Sequence, residues 1–69
     1  MLIEYDKQAE IILDKKVKKN IERNITKNFP NEDKVIIKVE GDKVNIYDSS
    51  KYKIEYYYLE NLIPQKEEI

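Results

Sequence analysis

Six basic residues fall between Lys15 and Lys27 (Lys15, Lys16, Lys18, Lys19, Arg23 and Lys27) against one acid, Glu22, in a chain whose net charge is only −1. Clustered Lys and Arg is the electrostatic footprint of a surface that holds a polyanion. Lys15, Lys19, Arg23 and Lys27 recur every four residues, so on a helix they form one ridge about 18 Å long, at 1.5 Å per residue. Such a ridge can touch several phosphates of a nucleic acid, or an acidic protein surface. It is also what any helix packed on one side presents to solvent. With one Arg in the ridge, contact with nucleic acid would run through phosphates and be weakly sequence-specific.

Catalytic chemistry has little to draw on. The chain has no His and no Cys, which removes the usual near-neutral acid/base, the thiolate nucleophile and the commonest metal ligands. Ser49 and Ser50 have no base motif beside them, and a single glycine, Gly41, cannot build a glycine-rich phosphate cradle. The acids are scattered among lysines and define no ligand spacing. The sequence therefore predicts a non-enzymatic protein with neither cofactor nor metal.

Any site must be carried by a few elements. Asp6 is a helix cap and Glu10 a favourable first-turn acid. Ala9, Leu13, Val17, Ile21, Ile25 and Phe29 then repeat every four residues, one side of a helix that Pro30 stops, which predicts a single helix from Lys7 to Asn28. Its apolar side lies two residues, about 200° of rotation, from the basic ridge, so the ridge must face solvent. Lys34–Glu40, Gly41-Asp42 and Lys43–Tyr47 read as a hairpin with a two-residue type II′ turn. That loop pairs Glu40 with Lys43, Val39 with Val44, Ile37 with Ile46 and Ile36 with Tyr47, so Val35, Ile37, Val39, Val44 and Ile46 share the core face.

Tyr52–Leu59 reads as a third strand. A three-residue loop pairing Tyr47 with Lys51 sends Tyr52, Ile54, Tyr56 and Tyr58 to the core; a four-residue loop would turn Lys53 and Glu55 inward. A rival reading puts Ile54, Tyr58 and Leu62 on one side of a final helix. Leu2–Tyr5 suits a short edge strand, and residues 64–69 are expected to form a mobile C-terminal tail. The fold class is α+β: one long N-terminal amphipathic helix on a three-stranded antiparallel meander, within a single domain spanning 1–63.

The odd-loop register leaves Ile36, Tyr47, Tyr57 and Leu59 on the reverse face of the sheet, among Lys34, Lys38, Lys43, Lys53 and Glu55. Tyr and Ile ringed by charge is the make-up of a protein-contact patch. Two other readings apply to the same surface: the terminal residues Leu2, Ile3, Leu62 and Ile63 cover it, or its aromatic rings stack bases. Asn20, Asn24 and Asn28 form a further four-spaced line bordering the apolar side.

Composition sets the frame. Sixty-nine residues make one marginally stable domain, for which self-association is a common remedy. Absence of cysteine favours an intracellular, cytoplasmic setting, no secretory signal opens the chain, and no apolar run approaches the roughly 20 residues that span a bilayer, so no membrane role is expected. The expected function is a small protein-interaction module, an adaptor, inhibitor or regulator, acting through the outer sheet face and free sheet edge on another protein or a second copy in a homodimer. The alternative is nucleic-acid binding through Lys15, Lys19, Arg23 and Lys27.

Overall fold

Asp6 does cap a helix, but the helix is short. In the computed structural model, which describes residues 1–62, α1 (Lys7–Ile12) is capped by Asp6, whose carboxylate accepts from Ala9 N–H at 2.8 Å. Leu13 then turns to extended geometry, and Asp14 caps a second helix, α2 (Lys15–Asn28), by accepting from Val17 N–H at 2.9 Å. The expected continuous helix is thus two helices joined at Leu13-Asp14. Helical geometry explains why. A strict spacing of four drifts about 40° per step on a straight helix, which would carry Ala9 and Phe29 roughly 200° apart. The break resets the phase, and Ala9, Leu13, Val17, Ile21 and Ile25 are all buried, with Phe29 half-buried against them.

Four strands make one mixed sheet, in spatial order β1 (Leu2–Tyr5), β2 (Lys34–Glu40), β3 (Lys43–Asp48) and β4 (Lys53–Tyr58). The edge strand at Leu2–Tyr5 is present and pairs in parallel with β2, Ile3 beside Val35 and Tyr5 beside Ile37. The expected meander is formed by β2, β3 and β4, all antiparallel. The hairpin register is as expected, from Glu40 opposite Lys43 to Ile36 opposite Tyr47. Its turn has positive φ at Gly41 (+66°) but not at Asp42, the type II′ requirement.

Beyond β3 the reading needs two corrections. The loop does have three residues, but Asp48 and Tyr52 close it: Asp48 N–H donates to Tyr52 O, and the Asp48 carboxylate accepts from Ser50 and Tyr52 N–H, each at 2.9 Å. Lys51, with φ 72°, takes the left-handed position such loops require. Then a bulge intervenes. Tyr47 is opposite Lys53 but Ile46 is opposite Glu55, so Ile54 is an extra residue, and every side chain after it changes face. Residues Leu59–Leu62 are a short helix, α3, so Leu59 does not end a strand.

The helices cover one side of the sheet. Val35, Ile37, Val39, Val44 and Ile46 are buried against them, and Ile3, Tyr5, Ile54, Tyr57, Leu59 and Leu62 pack around this core. At the border, Lys18 pairs with Glu10 at 2.8 Å and stands over the Tyr5 ring, whose hydroxyl donates to Glu22. Burial first, then Glu22, pushes the Tyr5 hydroxyl pKa up. Among the described residues no helix is long and apolar enough to cross a membrane. Ile63 and the expected tail at 64–69 lie outside the described residues.

Two substitutions test this architecture by urea denaturation. Asp14→Ala removes the α2 cap and lowers stability by about 1 kcal/mol. In an unbroken helix the same change would be neutral or stabilising, because Ala is the better interior residue. Ile21→Ala, at a fully buried position, costs about 2–5 kcal/mol.

Candidate functional site

With the helices on one side, the other face of the sheet is uncovered among the described residues. Its side chains come from alternate positions: Ile36, Lys38 and Glu40 on β2, Lys43, Asn45 and Tyr47 on β3, and Lys53, Tyr56 and Tyr58 on β4. The bulge decides this membership. Tyr57 sits opposite Val44 on the core side, and Leu59 packs on the core as well. Of the four expected contact residues, Ile36 and Tyr47 therefore share the outer face, while Tyr57 and Leu59 do not belong to it. Tyr56 (43% exposed) and Tyr58 (41%) take their place, residues that the unbulged register would have buried. Of the residues expected to cover this face, Ile3 and Leu62 pack on the core side instead, while Ile63 lies outside the described residues.

Charge and ring are interleaved on the outer face. Lys38 Nζ stands 5.4 Å from the Tyr47 ring centre, and Lys43 Nζ lies 5.6 Å from Tyr56 and 5.7 Å from Tyr58. Lys53 Nζ also lies near the Tyr56 ring, 5.9 Å from its centre. Tyr56 and Tyr58 meet edge to face, with centroids 5.7 Å apart and planes at 81°. Each lysine gains from the negative face of a ring, and each ring is held in place by a cation.

Glu40 anchors the centre. It accepts from Asn45 Nδ2 and from the Tyr47 hydroxyl, the latter at 2.7 Å. Asn45 first, then Tyr47, holds the Glu40 carboxyl below its usual pKa, while donation to Glu40 raises that of Tyr47. Asn45 is itself only 5% exposed although it points away from the core, because it lies between Lys38 and Tyr56 across the strands. Its Oδ1 has no partner. The Tyr57 hydroxyl is likewise buried without a hydrogen bond; burial is the main cause of its raised pKa, and Asn24 approaches it without reaching bonding geometry. Asn24 is thus the member of the Asn20, Asn24, Asn28 line that borders a polar atom of the core.

On the opposite side of the molecule, Lys15, Lys19, Arg23 and Lys27 are all exposed, as the spacing requires. Lys18, one of the six clustered cations, is instead spent on Glu10 and Tyr5. Among the described residues no group of three or more Asp or Glu side chains gathers as a metal site would.

The two unsatisfied or shifted groups yield measurable outcomes. Tyr57→Phe removes a buried hydroxyl that has no partner and raises stability by about 1 kcal/mol in urea; a loss would reveal a hydrogen bond to that oxygen. A carbon-13 NMR titration finds Glu40 ionising below the ordinary range, and Asn45→Ala moves it back up. Because the folded pKa is the lower one, Glu40 favours the fold above its ordinary pKa, and that contribution disappears as pH falls through the folded value. Compared with protein-family models, curated proteins and solved structures, the chain has no significant match.

Proposed function

We propose that the chain is a small non-enzymatic protein-interaction module whose outer sheet face takes an acidic segment of another protein. One observation carries this reading: exposed aromatic area and a net positive charge coincide on that face. Of its carboxylates, Glu4 lies 3.5 Å from Lys34, and Glu40, kept ionised by Asn45 and Tyr47, offsets one of the three charges of Lys38, Lys43 and Lys53. Among the described residues, Lys38, Lys43 and Lys53 are left with no carboxylate at ion-pair distance. Aromatic rings supply contact area at low entropy cost, and lysines around them select a partner of opposite charge.

Charge also discriminates between partners. A homodimer through this face would be isologous, laying the same three lysines against themselves, so a second copy is the poorer occupant. Nor do the edges serve well. β1 has four residues, and β4 carries a bulge together with Glu55, half-buried opposite Ile46; short, bulged and inwardly charged strands resist added strands. Base stacking is weakened because lysines already occupy ring faces that bases would need. Such a module suits an adaptor, inhibitor or regulator, and a chain without cysteine suits the reducing cytoplasm.

The probe is a short peptide of alternating Glu and Val, titrated into nitrogen-15-labelled protein alongside its Lys-for-Glu counterpart. Shifts centred on Lys38, Lys43, Tyr47, Lys53, Tyr56 and Tyr58 with the acidic peptide alone support the reading. Tyr56→Ala with Tyr58→Ala weakens that binding at least about tenfold while the fold persists. Absence of shifts overturns it, and so does a concentration-dependent dimer in sedimentation that the same double substitution abolishes.

A further inference from the structure

The helical side of the molecule carries a second charged surface with different chemistry. Lys15, Lys19, Arg23 and Lys27 follow one another along the solvent side of α2, all exposed. None of the four lies at ion-pair distance from a carboxylate among the described residues, whose two ion pairs use Lys18 and Lys34.

This line is unfavourable on its own terms. Like charges four apart on a helix repel, and here three such neighbours occur in succession. The first turn of α2 contains no acid but holds Lys15 and Lys16, where the helix dipole disfavours cations. The other helices follow the rule, with Glu10 in the first turn of α1 and Glu60 in that of α3. The Asp14 cap offsets the dipole at the start of α2, but the repulsion along the four-spaced ridge has no compensating ion pair among the described residues, and such a broken local preference marks a surface kept for something outside the fold.

The chemistry of the ridge selects the ligand. Unlike the outer sheet face, it has no aromatic or large apolar side chain among its four cations, so it lacks the apolar centre of a protein interface. It offers instead point charges about 6 Å apart along the axis, over about 18 Å. A regular polyanion suits that geometry, since a nucleic-acid duplex places one charge per about 1.7 Å of its length. Two shallow depressions run along the ridge, one lined by Lys15, Lys16, Lys19, Asn20 and Arg23, the next by Lys19, Arg23, Thr26 and Lys27 together with Ile3 and with Glu22, whose carboxylate accepts from the Tyr5 hydroxyl. They set an amide and a hydroxyl beside the cations as further phosphate donors. We propose that this ridge of α2 is a sequence-independent binding site for the phosphodiester backbone of nucleic acid, separate from the outer sheet face.

Fluorescence anisotropy at low salt, with a labelled mixed-sequence DNA duplex and a single-stranded RNA of equal length, tests this. On the duplex, engagement of four phosphates gives a slope of log K against log salt near about −3.6, so doubling the salt weakens binding about 12-fold. Lys19→Glu with Arg23→Glu abolishes binding while circular dichroism stays helical, since the change makes two of the three repelling neighbour pairs attractive and leaves one repulsive. Lys19→Gln with Arg23→Gln lowers the slope by about 1.8 and serves if the charge reversal unfolds the chain. Lys7→Glu with Lys51→Glu, an equal change in net charge elsewhere, leaves most of the binding in place. No binding to either probe overturns the proposal. So does binding that survives the ridge variants, or binding that poly-glutamate displaces as readily as unlabelled duplex does.

Discussion

One apolar seam governs this molecule. Val17, Ile21 and Ile25 on α2 close against Val35, Ile37, Val44 and Ile46 on β2 and β3, with Ala9 and Leu13 extending the seam along α1 and Val39 along β2. Each such side chain, fully withdrawn from water, contributes about 1.5–3 kcal/mol. A chain of this length has material for one such interior, so it builds two layers and no third. Both charged surfaces follow from that limit. Among the described residues, helices on one side of the sheet leave its other side bare, and a helix pinned by its apolar side must turn its opposite side to solvent.

Much of this was legible because two periods are written clearly in the chain. The four-spaced series from Ala9 to Phe29 and the alternation through Val35–Val39 and Val44–Ile46 each admit one arrangement, and the Gly41-Asp42 turn ties the strands in register. Exposure of the four-residue ridge follows from the same periodicity. The break at Leu13-Asp14 was hidden for a specific reason: Asp14 lies on the polar side of a continuous helix, where an acid attracts no notice, and it is also a good cap. Choosing between those roles depends on where the sheet lies, a tertiary matter. The outer face was read only in part, because Tyr56, Tyr57 and Tyr58 are identical and consecutive. Hydrophobic pattern favoured Tyr56 and Tyr58 inward, because the other parity buries Glu55, and the bulge at Ile54 overrode it by turning the central ring, Tyr57, to the core.

That bulge has two effects through one displacement. It turns Tyr56 and Tyr58 outward beside Tyr47, which creates the aromatic patch, and it disrupts the ladder of an edge strand that would otherwise be regular. An exposed aromatic sheet face next to a regular edge is a template for aggregation. Here the residue count that opens the face also spoils the edge, and Glu55, turned inward, reinforces the effect.

β1 pairs in parallel with β2, so its hydrogen bonds close a loop that contains both helices, whereas the β2–β3 hairpin closes over Gly41 and Asp42 alone. Loop-closure entropy rises with the length enclosed, and hairpins form within microseconds. By loop-closure entropy alone the hairpin is the easier contact to form and the β1–β2 pairing the harder one. Synthesis runs the other way, from the N-terminus. Of the four described strands Leu2–Tyr5 is made before the others yet closes the longest loop to its neighbour, so synthesis order and loop-closure entropy pull in opposite directions at this edge of β2.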